Sequence, residues 1–143
     1  MTMKKVILPI VFFAVAVVLA ACYDDDNVAV NEEIRSFIEK KYVGARILNA
    51  EREFNGDIEV DINHDGKHKD VCFNRKNAWI CTLWDVHPSQ LPDVVRAVVH
   101  DEYPGYVVDD ADYVQREGGD YYRLEIEKGI LEKTVLVSPD GHL

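Results

Sequence analysis

Residues 35–44 read RSFIEKKYVG, and residues 96–105 read RAVVHDEYPG, so one pattern occurs twice, 61 residues apart. Further along, VDI at 60–62 is echoed by LEI at 124–126, now at a shift of 64. Loops easily absorb a difference of three residues between the two shifts. The sequence therefore predicts two copies of one supersecondary unit.

Each copy begins with a stretch whose apolar residues follow helical spacing. In the first copy, Asn31 is typical of an N-cap and Gly44 lies where a helix ends. In the second copy, a helix begins within residues 88–92 and ends at Pro104-Gly105. The apolar positions of the two predicted helices are Val30, Ile34, Phe37, Ile38 and Tyr42, and then Leu91, Val94, Val95, Val98 and Val99.

After each helix the hydrophobic period changes to two, which is typical of strands with one buried face. The predicted strands are residues 46–54, 58–62, 69–73 and 79–84 in the first copy (30–86), and residues 107–116, 121–127 and 131–137 in the second (87–143). A helix and an antiparallel β-meander, repeated in tandem, predict an α+β fold with both helices packed on one face of a shared antiparallel sheet. The other sheet face is then open to solvent.

Short motifs connect the chain with a known family. They are WDV at 84–86, QLP at 90–92 before an apolar helix, and VLVSPDG at 135–141. Together they resemble the PepSY-like, β-lactamase-inhibitor-protein-like periplasmic lipoproteins of Bacteroidetes. The resemblance spans residues 30–143 and implies a tandem-repeat fold in one folded domain, with no established activity. Lys-Asn at 76–77 replaces the family's usual Asp-Gly turn, which leaves the geometry of that hairpin open.

The first 21 residues are predicted to be a lipoprotein signal peptide. Lys4 and Lys5 precede an apolar run that is too short for a comfortable membrane span. The run ends in LAAC at 19–22, which resembles a bacterial lipobox and implies cleavage before Cys22 and a diacylglycerol on its thiol. An ordinary signal peptide followed by an unrelated cysteine is the alternative.

Residues 22–29 are predicted to be an acidic tether. YDDDN at 23–27 resembles the surface-export signal of Bacteroidetes lipoproteins, and a solvated, disordered linker is the alternative interpretation of the same charges. We therefore expect an exported protein, lipid-anchored to the outer membrane on its periplasmic face or at the cell surface. With a net charge of −10, the chain is expected to repel nucleic acid and to contact the membrane only through its lipid.

Cys72 and Cys81 flank a predicted hairpin in an exported, and therefore oxidising, setting. A two-residue turn at Lys76-Asn77 would place them directly opposite each other and make a disulfide possible. A three-residue loop would place them on opposite faces and forbid the bridge. The sequence leaves both alternatives open.

One motif resembles a calcium loop. Asp61, Asn63 and Asp65 match positions 1, 3 and 5 of an EF-hand. Position 12 lacks the required carboxylate and the flanks are predicted strands, so the motif is only a weak calcium candidate. His64 and His68 have a spacing that would suit zinc on a helix, but a hairpin does not hold them together. No metal or cofactor is predicted.

Aromatic residues are the better candidates for function. No serine lies in a Gly-x-Ser-x-Gly setting and no glycine-rich phosphate loop is present, so the chain is not predicted to be an enzyme. We expect a binding protein, an inhibitor or a sequestering module, whose open sheet face holds an unknown protein partner of the cell envelope. The alternative is a structural envelope lipoprotein that binds glycan or neighbouring lipoproteins. The residues expected to contact the partner are Tyr121, Tyr122, Arg123 and Tyr113.

Overall fold

The computed structural model describes residues 28–143. The predicted signal peptide, Cys22 and the tether up to residue 27 lie outside the described residues. The elements are, in chain order, α1 (Glu32–Lys41), β1 (Arg46–Arg52), β2 (Ile58–His64), β3 (Lys67–Phe73), β4 (Trp79–Asp85), a short 3-10 helix (Pro88–Gln90), α2 (Asp93–Glu102), β5 (Val107–Arg116), β6 (Tyr121–Lys128) and β7 (Leu131–Val137). No helix in this part of the chain is long and apolar enough to cross a membrane.

The seven strands form one antiparallel sheet whose spatial order equals the chain order, from β1 to β7. Each strand therefore pairs with its neighbours in sequence, as in a meander. The predicted α+β class is confirmed, and β5 and β7 have the predicted bounds. That the two halves are copies of one supersecondary unit remains a prediction.

Helix α1 begins where the sequence supplies a cap. The side-chain oxygen of Asn31 accepts a hydrogen bond from the Ile34 amide at 2.9 Å, which satisfies one of the amides that a first helical turn leaves unpaired. Glu32 and Glu33 follow at the positive end of the helix dipole. Gly44, with a φ of 82°, allows the chain to turn from the helix into β1.

Each helix packs on its own end of the sheet. Helix α1 buries Ile34 and Ile38, and helix α2 buries Val95 and Val99. The sheet residues of the α1 core are Ala50, Ile58, Val60, Ile62, Val71 and Phe73, and those of the α2 core are Ala111, Leu124, Ile126, Val135 and Val137. Burial of each large apolar side chain stabilises the fold by about 1.5–3 kcal/mol.

Both cores lie on the same face of the sheet. Val71 of the α1 core is opposite Thr82, and Thr82 is opposite Gln115 on β5. Opposite residues of an antiparallel pair share a face, as do residues separated by two along a strand. Ala111 of the α2 core is four residues from Gln115, so it points to the same side. Within residues 28–143, no helix covers the other side.

Candidate functional site: the uncovered face of the sheet

The side of the sheet opposite the two helices, which we call the helix-free face, is dominated by acids. Its side chains alternate with the core residues along each strand. Its carboxylates are Glu51, Glu59, Asp61, Asp70, Asp85, Asp110, Asp112, Glu125, Glu127 and Glu132, and its other members include His68, Cys72, Cys81, Leu83, Val114, Arg116, Tyr121, Arg123 and Leu136. Three arginines on this face, Arg46, Arg116 and Arg123, do not balance these acids, so the face has a negative potential.

Carboxylates on β2 and β3 face each other directly. Asp61 is opposite Asp70, and two like charges in this arrangement destabilise a sheet. Burial, and then the charge of Asp61, raise the pKa of Asp70 to about 6. Burial, and then the charge of Asp70, raise the pKa of Glu59 to about 7. Part of this face is therefore protonated near neutral pH.

The weak calcium candidate does not form a calcium loop. Asp61 and Asn63 belong to strand β2, and Asp65 lies in the tight turn that follows, so a hairpin replaces the wrapped loop of an EF-hand. Asp61 instead approaches His68 and Asp70, and one ligand atom of each lies within 4.8 Å of the others. The His68 Nδ1 atom is 3.6 Å from Asp70 Oδ1. Because these groups interact with one another, we assign no metal to them.

The structure divides the four predicted partner-binding residues between the two sides of the sheet. Tyr121 and Arg123 lie on the helix-free face, where Arg123 is opposite Asp112. Tyr113 and Tyr122 are opposite each other on the helix-bearing side. Neighbouring residues of a strand point to opposite sides, so the four residues do not form one surface, and only Tyr121 and Arg123 lie on the open face.

The two residues on the helix-free face already have partners within the chain. Arg123 Nε donates to Asp112 Oδ2 at 2.9 Å, and a terminal nitrogen of Arg123 pairs with the same oxygen. Burial raises the pKa of Asp112, and the Arg123 guanidinium opposes that shift. The guanidinium carbon of Arg116 lies 4.7 Å from the centre of the Tyr121 ring. Arg123 therefore links β6 to β5, whereas Tyr121 offers a partly exposed ring.

Three rings form an aromatic row on the helix-bearing side, namely Trp84, Tyr113 and Tyr122 on β4, β5 and β6. The ring centroids are 4.8 Å apart for Trp84 and Tyr113, and 5.0 Å apart for Tyr113 and Tyr122. The Tyr113 hydroxyl donates to Asp120 Oδ2 at 2.7 Å. Burial, and then this hydrogen bond, raise the pKa of Tyr113 to about 12. All three rings are partly exposed.

Cys72 and Cys81 are directly opposite each other on the helix-free face, as two thiols. The loop between β3 and β4 has three residues, since the Asn74 amide donates to the Ala78 carbonyl at 2.9 Å. That loop alone would offset the cysteines, but a β-bulge between residues 79 and 81 inserts one residue and restores the alignment. The prediction that a three-residue loop forbids the pairing is therefore wrong.

One serine lies beside a histidine, a contact that the sequence did not predict. Ser89 Oγ is 2.7 Å from His87 Nδ1, and His87 caps the short 3-10 helix by accepting from the Ser89 amide. Within residues 28–143, no carboxylate forms an ion pair with His87. Activation of a serine by a histidine relies on a third group that orients the base. The contact is therefore explained by capping.

Two helices on one side of a seven-stranded antiparallel sheet define an α+β protein with one uncovered sheet face, and solved structures share this fold. A BLIP-like protein from Bacteroides fragilis superposes with a TM-score of 0.69 at 22% sequence identity, over 80% of this chain and 83% of that chain. A DUF2874 family protein from Bacteroides ovatus has a TM-score of 0.68 at 20% identity, over 81% and 85% of the two chains.

A third solved structure shares the fold. A candidate periplasmic protein from Bacteroides eggerthii has a TM-score of 0.64 at 18% identity, over 80% of this chain and 85% of that chain. Identities this low show a common fold and nothing finer. No protein-family model and no curated protein matches the chain.

Proposed function

We propose that this chain is a non-enzymatic binding module of the bacterial cell envelope that holds a protein partner on its helix-free face, as an inhibitor or a sequestering module. The observation that carries the proposal is the uncovered side of a sheet whose other side bears both helices. The fold shared with a BLIP-like protein supports it. So does the position of the Ser89–His87 contact in a helix cap, since it leaves no activated nucleophile there.

The charge of the helix-free face defines the chemistry of the partner. Acids surround a centre that contains the partly exposed side chains of Leu83 and Tyr121. Interfaces combine an apolar, aromatic centre with a polar rim, and complementary charges on the rim accelerate association. The partner therefore presents a basic surface, and its binding weakens as salt is added.

Adjacent tyrosines provide a matched test of this surface. Tyr121→Ala removes a ring from the helix-free face, whereas Tyr122→Ala removes the same ring from the helix-bearing side. In capture from envelope extracts, we expect one stoichiometric basic protein to bind the wild type and the Tyr122→Ala variant. Its affinity for Tyr121→Ala should fall by about ten-fold or more, as for an aromatic anchor at an interface centre. Equal loss in both variants, or none in either, contradicts the proposal.

We further propose that Cys22 bears a diacylglycerol that anchors the chain to the outer membrane. The acyl chains of this lipid insert into the membrane, and each buried CH₂ group contributes about 0.8 kcal/mol to membrane binding. The wild type should partition into the detergent phase and the membrane fraction, and Cys22→Ser should move to the soluble fraction. Protease accessibility on intact cells then separates surface display from the periplasmic face. Unchanged partitioning of Cys22→Ser contradicts the anchor.

A second candidate function is glycan binding, favoured by the aromatic row. Partly exposed rings such as Trp84 and Tyr113 offer flat apolar faces, and Lys69 Nζ lies 4.6 Å from the Trp84 ring as a polar neighbour. Rings with an apolar body and a polar tip suit a ligand that has one apolar side and one hydrated side. This alternative would be favoured if the wild type retained envelope glycan and Trp84→Ala did not, while both captured protein equally.

A further inference from the structure

The cysteine pair on the helix-free face is built asymmetrically, and its geometry suits thiol–disulfide exchange. We propose that Cys72 and Cys81 form a redox-active pair, in which Cys81 is the attacking thiol and Cys72 is the resolving thiol that closes a cross-strand disulfide. The inference does not depend on the partner or on the lipid anchor, since it rests on the β3–β4 hairpin alone. No other cysteine lies within residues 28–143.

The register of the hairpin allows the bond to form without backbone movement. Cys72 and Cys81 are Cα partners across β3 and β4, and such partners are about 4.5–5.5 Å apart in an antiparallel pair. A disulfide spans Cα separations of about 4.4–6.8 Å. The bulge between residues 79 and 81 fixes this alignment, because without it Cys72 would face Ile80.

Cys72 has the properties of a resolving thiol. Its side chain is buried, with 3% of its surface exposed, so external reagents do not reach it directly. Hydrogen bonding to Cys81, burial, and the nearby carboxylates Glu59 and Asp70 all raise the pKa of Cys72. A thiol that holds its proton is a poor nucleophile. Cys72 therefore reacts only when an electrophilic sulfur is placed beside it.

Cys81 has the properties of an attacking thiol. It is partly exposed on the same face. The hydrogen bond from Cys72 lowers the pKa of Cys81, and the guanidinium groups of Arg116 and Arg123 act in the same direction, against burial and the charge of Glu59. Arg116 is its direct cross-strand neighbour on β5. The thiolate therefore forms on the sulfur that solvent reaches.

The exchange requires an external disulfide, from a small molecule or a protein, as the oxidant. The Cys81 thiolate attacks one sulfur of that disulfide, the S–S bond breaks, and one thiolate leaves, which produces a mixed disulfide on Cys81. Cys72 then releases its proton to solvent and attacks the Cys81 sulfur, and the second thiolate leaves. Two protein thiols are oxidised to one disulfide, and one external disulfide is reduced to two thiols.

Oxidised glutathione is a suitable probe, with intact-mass spectrometry as the readout. All proteins carry Cys22→Ser, so that only Cys72 and Cys81 bear thiols. With both present, we expect the mass to fall by two hydrogen atoms. With Cys72→Ser, the glutathione mixed disulfide should accumulate on Cys81. With Cys81→Ser, glutathione uptake by Cys72 should be about ten-fold slower or more, because each unit of pKa changes the thiolate fraction by up to ten-fold.

The same measurement in urea is the control. Unfolding removes the burial and the arginine neighbours, so the two single variants should then react at equal rates. Cys72→Ala and Cys81→Ala provide a second pair if a serine variant does not fold. Equal rates for the folded single variants would overturn the assignment of roles. Two glutathione adducts, or two free thiols that persist under oxidised glutathione, would overturn the pair itself.

Discussion

Thr82 is a polar residue with no exposed surface, at the boundary between the two cores. Its Oγ1 atom lies 2.7 Å from the Tyr42 hydroxyl and accepts from Trp79 Nε1 at 3.0 Å. The Tyr42 hydroxyl also donates to Gln115 Oε1 at 2.9 Å. This chain of hydrogen bonds connects the end of α1 with β4 and β5. Burial, the largest influence, raises the pKa of Tyr42 to about 12, so its hydroxyl remains a donor.

Thr82→Val keeps the shape of this side chain and removes its hydroxyl. We expect the free energy of unfolding to fall by about 1–3 kcal/mol, because the buried Tyr42 hydroxyl and the partly buried Trp79 Nε1 lose a hydrogen-bond partner. Thr82→Ser is the matched control, since it keeps the hydroxyl and loses only a methyl group. Urea denaturation of both variants provides the measurement. A Thr82→Val protein as stable as Thr82→Ser would show that the hydroxyl contributes nothing.

At the scale of elements, the sequence predicted the strands well but not the details of their pairing. Alternation marks which residues of a strand share a face, and this was enough to predict β5 and β7 to the residue. The bulge between residues 79 and 81 leaves no trace in that alternation. Hence the alignment of Cys72 with Cys81 could not be deduced from loop length, although the hairpin itself could.

The turn between β3 and β4 illustrates how a hairpin tolerates a sequence that departs from the expected pattern. The Asn77 amide donates to the Asn74 carbonyl at 2.9 Å, and Asn77 has a left-handed φ of 63°. The same pattern closes residues 53–57 and 138–142, where Gly56 and Gly141 take the left-handed position. Asparagine is the residue that best tolerates this conformation after glycine, which explains why this hairpin forms without a glycine.

Which residues share the helix-free face could be established only from the register of the whole sheet. A period of two predicts that Tyr121 and Tyr122 face opposite sides, but only the pairing of β5 with β6 shows that Tyr113 joins Tyr122. The acids of the helix-free face come from strands far apart in sequence. No single stretch of sequence predicts that these acids gather on one face, or that Asp61 lies opposite Asp70.

For the whole molecule, this concentration of acids predicts an unusual dependence of stability on pH. The chain has a net charge of −10, and Glu59 and Asp70 are pushed by burial and by neighbouring carboxylates to pKa values of about 7 and about 6. Both values lie above those of unfolded carboxyl groups, so the folded state binds these protons more tightly. The stability they contribute is fully present below about pH 4 and is lost as the pH rises through 6 and 7.

We therefore expect the free energy of unfolding to be lower near pH 8 than near pH 5, by about 1 kcal/mol after allowance for solvent screening of half-buried carboxyl groups. Urea denaturation across this range gives the measurement. Glu59→Gln fixes a neutral side chain at the centre of the acids, so this variant should be more stable near pH 8 and should show a flatter profile. Added salt should reduce the difference in the wild type, because it screens like charges on the sheet surface. A wild-type stability that rises towards pH 8, or a Glu59→Gln profile parallel to that of the wild type, would show that ordinary ion pairs outweigh the crowding of acids on the helix-free face.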